Sequence, residues 1–240
     1  ESPTNPMLKI ADVERICASA HRHGALAILD NTFAGFHSHG NFPVDVYVHS
    51  LTKYASGHGD VMGGAIVASR TITDRIRHEV ATLGPTLDPH AAFLVLRGLK
   101  TYHVRREAQC ANALAVAEFL AAHPRVRRTH HPALASHPGH ALARAQMPDF
   151  GTIVTAELDG TPEHARTFVE ALELFGMTAS LGSTESLVMP PQFLQARELT
   201  PEQRAISGIR PTTVRLSIGL EAPEDLIADL AQALERAYSV

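Results

Sequence analysis

The feature that most restricts the fold is a set of short apolar runs that stop abruptly at polar residues. Ala25-Leu26-Ala27-Ile28-Leu29 ends at Asp30, and Val44-Asp45-Val46-Tyr47-Val48 ends at His49-Ser50. A third run occupies residues 63–68. Runs this short, bounded by polar stops, predict buried strands of an α/β sheet rather than a helical bundle. Before the first of them, Ile10, Val13, Ile16, Cys17 and Ala20 recur at helical spacing, with Gly24 placed to close the helix.

Farther along, the pattern changes. Residues 90–123 are helical throughout and end at His123-Pro124. Residues 152–158 then predict a half-buried strand, and residues 162–175 a helix closed by Gly176. Residues 213–219 alternate as an antiparallel strand does, and the last helix runs from Ala222 to about Tyr238 with acidic residues in its first turn. The shift from parallel-type to antiparallel-type strands places a domain boundary near residue 105, dividing the chain into 1–105 and 106–240.

At 240 residues and 45% hydrophobic, the chain can bury a core in each part. A net charge of −4 offers no footprint for nucleic acid or an anionic membrane. No window reaches the roughly eighteen apolar residues of a membrane span. Cys17 and Cys110 form no disulfide framework and read as core-facing helix residues, so a reducing cytoplasm is the expected home. The opening Glu1-Ser2-Pro3-Thr4-Asn5-Pro6 has neither an initiator Met nor a signal pattern, and the natural beginning is expected to lie upstream.

Ligands of open α/β sheets bind beyond the carboxyl ends of the strands. Asp30 sits at one such end, and Ser50, Thr52 and Lys53 follow another. An acid, two hydroxyls and an amine can converge there on one anionic, ring-bearing ligand. Each residue alone has a blander reading as a cap, a turn residue or a surface charge. Ser50-Leu51-Thr52-Lys53 also fits the S-x-x-K pattern of penicillin-recognising serine enzymes, but neither S-D-N nor K-T-G accompanies it. His21/His23, His37/His39 and His130/His131 form no metal-ligand spacing and read as solvated or loop histidines, so no metal is expected. Arg105-Arg106 reads as part of a solvated helix end.

Taken in order, Glu1–Pro6, Leu29-Asp30-Asn31-Thr32-Phe33, Ser50-Leu51-Thr52-Lys53-Tyr54, Gly57-His58-Gly59-Asp60-Val61, Gly63-Gly64 and Arg97-Gly98-Leu99-Lys100-Thr101 form a recognisable series. Ser180-Leu181-Gly182, Glu185-Ser186-Leu187 and Arg215-Leu216-Ser217-Ile218-Gly219-Leu220-Glu221 continue it. The series resembles the cysteine/methionine-metabolism family of enzymes dependent on pyridoxal 5′-phosphate (PLP), which includes cystathionine synthases and lyases, methionine γ-lyase and homoserine-ester sulfhydrylases. The resemblance implies an aspartate-aminotransferase-like (fold type I) architecture. Residues 1–105 would be the C-terminal portion of a PLP-binding large domain with a mainly parallel sheet, and 106–240 a smaller α+β domain.

By that resemblance Lys53 would carry PLP as a Schiff base and move protons once released. Asp30 would pair with the pyridinium nitrogen, and Ser50 and Thr52 would bind the phosphate. Asn5 would lie near the cofactor and substrate, and Arg215, assisted by Ser180, would grip the substrate carboxylate. Gly57, Gly59, Gly63 and Gly64 would permit tight turns. The family's upstream portion supplies a phosphate loop, a ring-stacking aromatic and residues reaching the neighbouring subunit, so a homodimer or homotetramer with the site at the interface is expected.

Departures from the family pattern bear on the substrate. Cystathionine-handling members commonly place Glu before Ser-Leu-Gly, where this chain has Ala179. Loss of that carboxylate disfavours a substrate with a distal ammonium. Methionine γ-lyases typically carry Lys-Asp where a gapped reading finds Ala81-Thr82, and residues 188–195 replace a Pro-x-x-Met-Thr-His segment beside the substrate entrance. The expected activity is that of a carbon–sulfur lyase acting by γ-elimination on a methionine- or homocysteine-like amino acid. The alternatives are γ-replacement on an activated homoserine ester and a non-catalytic assembly role.

Overall fold

The computed structural model describes residues 1–194 and 200–239. Helix α1 (Val13–Arg22) begins at Asp12, whose carboxylate accepts the Arg15 N–H, and ends before Gly24 in the left-handed region. It packs Val13 and Cys17 against Leu29 of strand β1 (Ile28–Asp30). Strand β2 (Val46–Ser50) runs parallel to β1, pairing Asp30 with Val48, and strand β3 (Gly64–Ala68) runs antiparallel to β2. The expected parallel character therefore holds for β1 and β2 but not for β3. Residues 51–63 hold one wide helical turn and a glycine-rich loop, and no crossover helix of the kind a parallel return needs. The apolar run leading into β1 is buried on one side only: Leu29 is 7% exposed and Ile28 65%.

Helix α2 (Arg70–Leu83) buries none of its residues and carries Ala81 and Thr82 on its exposed last turn. The long helix expected over residues 90–123 is two helices, α3 (Pro89–Leu99) and α4 (Tyr102–Ala122). The break has a visible cause. Arg105 turns back from α4 and donates from Nη2 to the carbonyls of Gly98 and Tyr54, at 2.9 and 3.1 Å. It thereby satisfies the end of α3 and ties it to the segment that carries Lys53. A Cβ on Gly98 would stand 2.3 Å from the Ser56 carbonyl oxygen, so only glycine lets the two backbones approach.

Beyond α4 lie strand β4 (Val126–His130), helix α5 (His140–Gln146), strand β5 (Ile153–Leu158) and helix α6 (Pro162–Ala171). Strands β6 (Gly176–Met177) and β7 (Leu187–Met189), helices α7 (Pro191–Leu194) and α8 (Pro201–Ser207), strand β8 (Thr213–Ser217) and helix α9 (Pro223–Tyr238) complete the described order. The second sheet runs β4-β5-β8-β7-β6 and is antiparallel except for β6 with β7. One face packs Val154, Ala156, Val214 and Leu216 against Leu120 of α4, Phe168 of α6 and Leu230 and Leu234 of α9. The opposite face carries Thr155, Glu157, Arg215 and Ser217, all buried, and looks back toward residues 1–10 and the Lys53 segment.

Arg105 and Arg106 are not solvated: they are 5% and 3% exposed. Arg106 donates to Asp149 at 2.7 and 3.2 Å and to the carbonyls of Phe33 and Ala34. His37 meets the same carboxylate at 2.7 Å, so Asp149 anchors the loop that follows Asp30. Of the histidines expected to be solvated or in loops, His39, His130 and His131 are buried, and so are His49 and His137. Among the described residues no His/Cys/Asp/Glu group could hold a metal ion, and no helix is long and apolar enough to cross a membrane. Gln195, at the edge of the divergent 188–195 stretch, lies outside the described residues.

Burial works against the charge of Asp149, but hydrogen bonds from His37 and Arg106 outweigh it and hold the carboxyl well below its ordinary 3.8. Its stabilisation is therefore complete above the unfolded carboxyl's pKa and is lost as pH falls below that value. Asp149→Asn should lower the unfolding free energy at neutral pH by about 3 kcal/mol. The gap between variant and parent, measured by denaturant titration, should narrow below pH 4, the unfolded carboxyl's range.

Candidate active site

The strand ends and the second sheet meet around Lys53. Directly after β2 the chain makes one wide helical turn, Leu51–Ala55, within which Lys53 departs from helical geometry (φ −92°, ψ −127°). Leu51 and Ala55 pack into a core with Val61 and Val95, while Tyr54 joins Phe33, Tyr102, Ile153 and Leu181. With its neighbours anchored on both sides, Lys53 is directed into the space between the sheets. Its Nζ donates to Ser180 Oγ at 3.4 Å.

Ser180 joins two cations. Its hydroxyl faces Lys53, and its carbonyl accepts from Arg215 Nη2 at 2.8 Å. Arg215 also donates from Nη2 to the Ala179 carbonyl and from Nη1 to Asn5 Oδ1, both at 3.0 Å. It is 2% exposed, and its Nε has no partner among the described residues. No carboxylate among them stands within ion-pair distance of its guanidinium. Burial pushes the Arg215 pKa down to about 10, so the group remains charged at neutral pH. A buried cation that meets only neutral oxygens is a receptor for an anion from outside. Burial also lowers the Lys53 pKa, and repulsion from Arg215 lowers it further, which raises its neutral, nucleophilic fraction.

The second group lies at the carboxyl ends of β1 and β2. Asp30 Oδ1 accepts the Thr32 N–H at 2.9 Å, and Oδ2 has no partner among the described residues. Thr32 Oγ1 in turn accepts the Ser50 N–H at 2.9 Å, which fixes the Asp30 turn to the start of the Lys53 segment. The Ser50 hydroxyl makes no hydrogen bond among the described residues. The Thr52 hydroxyl, by contrast, accepts from Gly63 N–H at 3.0 Å and donates to the Gly63 carbonyl at 3.4 Å, so its proton turns to an outside anion only by leaving that carbonyl.

Lys53, Ser180, Arg215 and Asn5 thus form one connected set, and Asp30 and Ser50 another, joined through Thr32 and the backbone leading to Lys53. Three contributors escaped the sequence reading. Thr32 lies two residues after Asp30 in the strand-end turn, and its own hydroxyl there was its only signal. Arg106 lies over the Tyr54 ring, 5.0 Å from its centroid, and Tyr54 is bonded to Thr152 at 2.8 Å. Both act by holding the Lys53 segment, and nothing local in the sequence marks such a role.

The residues fit PLP on chemical grounds: an amine of lowered basicity, a carboxylate with a free oxygen, an uncommitted hydroxyl and an anion receptor. If Arg215 depresses the basicity of Lys53, Arg215→Gln should slow Lys53 carbamylation by cyanate severalfold at mildly alkaline pH, while exposed Lys100 is unchanged. Peptide mass spectrometry reads both sites. Faster modification of Lys53 in the variant would mean that access, not charge, governs the amine.

The Cys/Met metabolism PLP-dependent enzyme family matches residues 1–235. An L-methionine gamma-lyase from Fusobacterium nucleatum subsp. polymorphum is 42% identical over 98% of this chain and 61% of its own length. Cystathionine gamma-synthase 1, chloroplastic, of Arabidopsis thaliana is also 42% identical, over 98% of this chain and 42% of its own. Among solved structures, cystathionine gamma synthase from Xanthomonas oryzae pv. oryzae in complex with cystathionine superposes with a TM-score of 0.95 at 41% identity, covering 99% of this chain and 62% of that one. The chain thus spans about three fifths of the methionine gamma-lyase it matches. With Lys53, Asp30 and Arg215 arranged as described, the chain belongs to the Cys/Met metabolism family of PLP-dependent enzymes.

Proposed function

We propose that this chain carries the reacting lysine and carboxylate receptor of a PLP-dependent carbon–sulfur lyase, acting by γ-elimination on a methionine- or homocysteine-like amino acid. The observation that carries the reading is Arg215: buried, charged, without a carboxylate partner among the described residues, and joined to Lys53 through Ser180. An α-carboxylate on Arg215 would place the adjacent Cα within reach of the amine. When bound, PLP supplies an electron sink for charge that develops at that carbon.

This chain's residues do the rest. The free oxygen of Asp30 accepts a hydrogen bond from a protonated ring nitrogen and keeps it protonated. Ser50 binds a phosphate, and Thr52 joins it by turning its proton from the Gly63 carbonyl. Lys53, partly neutral through burial and Arg215, takes a proton at Cα and returns it farther along the substrate. Asn5 and the Ala179 and Ser180 carbonyls hold the guanidinium plane so that a carboxylate can meet it in a bidentate pair.

Ala179 favours a methionine-like substrate, since it offers a carbonyl to Arg215 and no side-chain carboxylate to a distal ammonium. The equal identity to a cystathionine gamma-synthase keeps γ-replacement as the second reading. We place the division between PLP-binding and smaller domains near residue 105, where Arg105 closes α3 and α4 begins. A homodimer or homotetramer with the site at the subunit interface, working in the cytoplasm, completes the proposal; exposed Phe93, Leu96 and Val104 supply apolar surface for assembly.

Assay of the purified, PLP-supplied protein with L-methionine, L-cystathionine and O-acetylhomoserine plus sulfide separates the readings. The expected result is 2-oxoacid and ammonia from methionine, with kcat/KM reduced about 100-fold or more in Arg215→Ala. Sulfide-dependent product from the ester without methionine turnover would establish replacement instead. Inactivity on all three, with no visible absorption from a lysine-bound cofactor, would favour a non-catalytic role.

A further inference from the structure

A second concave site lies on the face of the sheet that carries Arg215, toward its β4 end. The cavity measures about 420 Å³, in the range of small-molecule sites. Its floor is a buried pair: His130 Nε2 lies 2.7 Å from Glu157 Oε1, with both side chains 9% exposed. The second Glu157 oxygen has no hydrogen-bond partner among the described residues. Lys9 and Arg128 stand on the lining, exposed and without a carboxylate partner among the described residues. Met7, Ile10 and Leu142 give the lining an apolar side.

The chemistry of this lining is specific. Burial pushes the His137 pKa to about 4, so His137 is neutral at neutral pH and adds no cation. The cavity then offers one carboxylate oxygen at its floor, two cations on its lining and an apolar wall between them. An isolated anion would leave Glu157 opposed, and an isolated amine would leave Lys9 and Arg128 unanswered. A zwitterion with an apolar tail meets all three.

We propose that this cavity is a second small-molecule site that takes a free α-amino acid with an unbranched apolar side chain. The ammonium would bind Glu157, the carboxylate Arg128 and Lys9, and the side chain would lie along Met7, Ile10 and Leu142. The site is distinct from the Arg215 receptor yet shares a wall with it. Thr155 pairs with His130 on one side and Arg215 on the other, and its hydroxyl donates to the Pro6 carbonyl at 2.6 Å. Asn5, one residue before Pro6, accepts from Arg215, and Met7, one residue after it, lines the cavity. An occupant that shifts residues 7–10 therefore acts on the partner of Arg215.

The proposal is independent of the reaction at Lys53 and is tested by binding. L-Norleucine, which has no sulfur leaving group, is titrated calorimetrically into the purified protein and its Arg215→Ala, Glu157→Gln, Arg128→Ala and Leu142→Phe variants. Binding that persists in Arg215→Ala and weakens about tenfold or more in Glu157→Gln and Arg128→Ala is expected. Leu142→Phe, which fills the apolar side while leaving the charges in place, should weaken it as well. Thermal unfolding of each variant verifies that it is folded, and exposed Arg128 supplies the decisive variant if Glu157→Gln is not. Absence of binding, binding lost only in Arg215→Ala, or equal binding of hexanoate, which lacks the ammonium, would each overturn it.

Discussion

Arg215 is the constraint on which the site depends. A guanidinium 2% exposed carries a desolvation cost that neutral carbonyls offset only in part. The lowered pKa records that deficit, yet at about 10 it leaves the group charged at neutral pH. The three oxygens it meets all belong to segments that must be held from elsewhere: Asn5 in the opening turn, and Ala179 and Ser180 in the loop before β7. β8 is a fully buried strand, so the guanidinium cannot swing into solvent to relieve the deficit. The remaining relief is an incoming anion, and that makes a structural cost a binding function.

The same logic extends to the frame. Lys53 and Arg215 repel each other, so their approach has to be enforced by contacts that lie outside the site. Arg105 binds the Tyr54 and Gly98 carbonyls, and Arg106 clamps Asp149 and the Phe33 and Ala34 carbonyls. Both start from the first turn of α4, the helix that also packs Val116 and Leu120 under the second sheet. One helix therefore fixes the Lys53 segment, the Asp30 loop and the sheet carrying Arg215 relative to one another.

Much of this was legible in the sequence, for identifiable reasons. β2, β3, β5, β8, α1 and α9 follow from apolar periodicity and end signals, and Asp30 and Lys53 stand where strand-end logic puts a ligand site. The site's second half was legible only by family resemblance, because Arg215 and Asn5 are 210 residues apart and no local pattern joins them. Buried arginines and histidines were misread for a related reason. Arg105, Arg106 and His130 look like surface residues until their distant partners, the Tyr54 carbonyl, Asp149 and Glu157, are brought to them. The break between α3 and α4 was hidden because helical spacing continues across Lys100-Thr101, and the cause lies in Arg105 turning back to the Gly98 carbonyl and in the approach of Gly98 to Ser56.

The central claim is that Lys53, rather than any other amine, holds the cofactor. Borohydride reduction of the PLP-loaded protein fixes the cofactor to the amine it is bonded to, and peptide mapping then identifies that amine. A single labelled peptide containing Lys53 is expected, with the label lost in Lys53→Ala. Label on Lys9 or Lys100, or labelling that survives in Lys53→Ala, would contradict it.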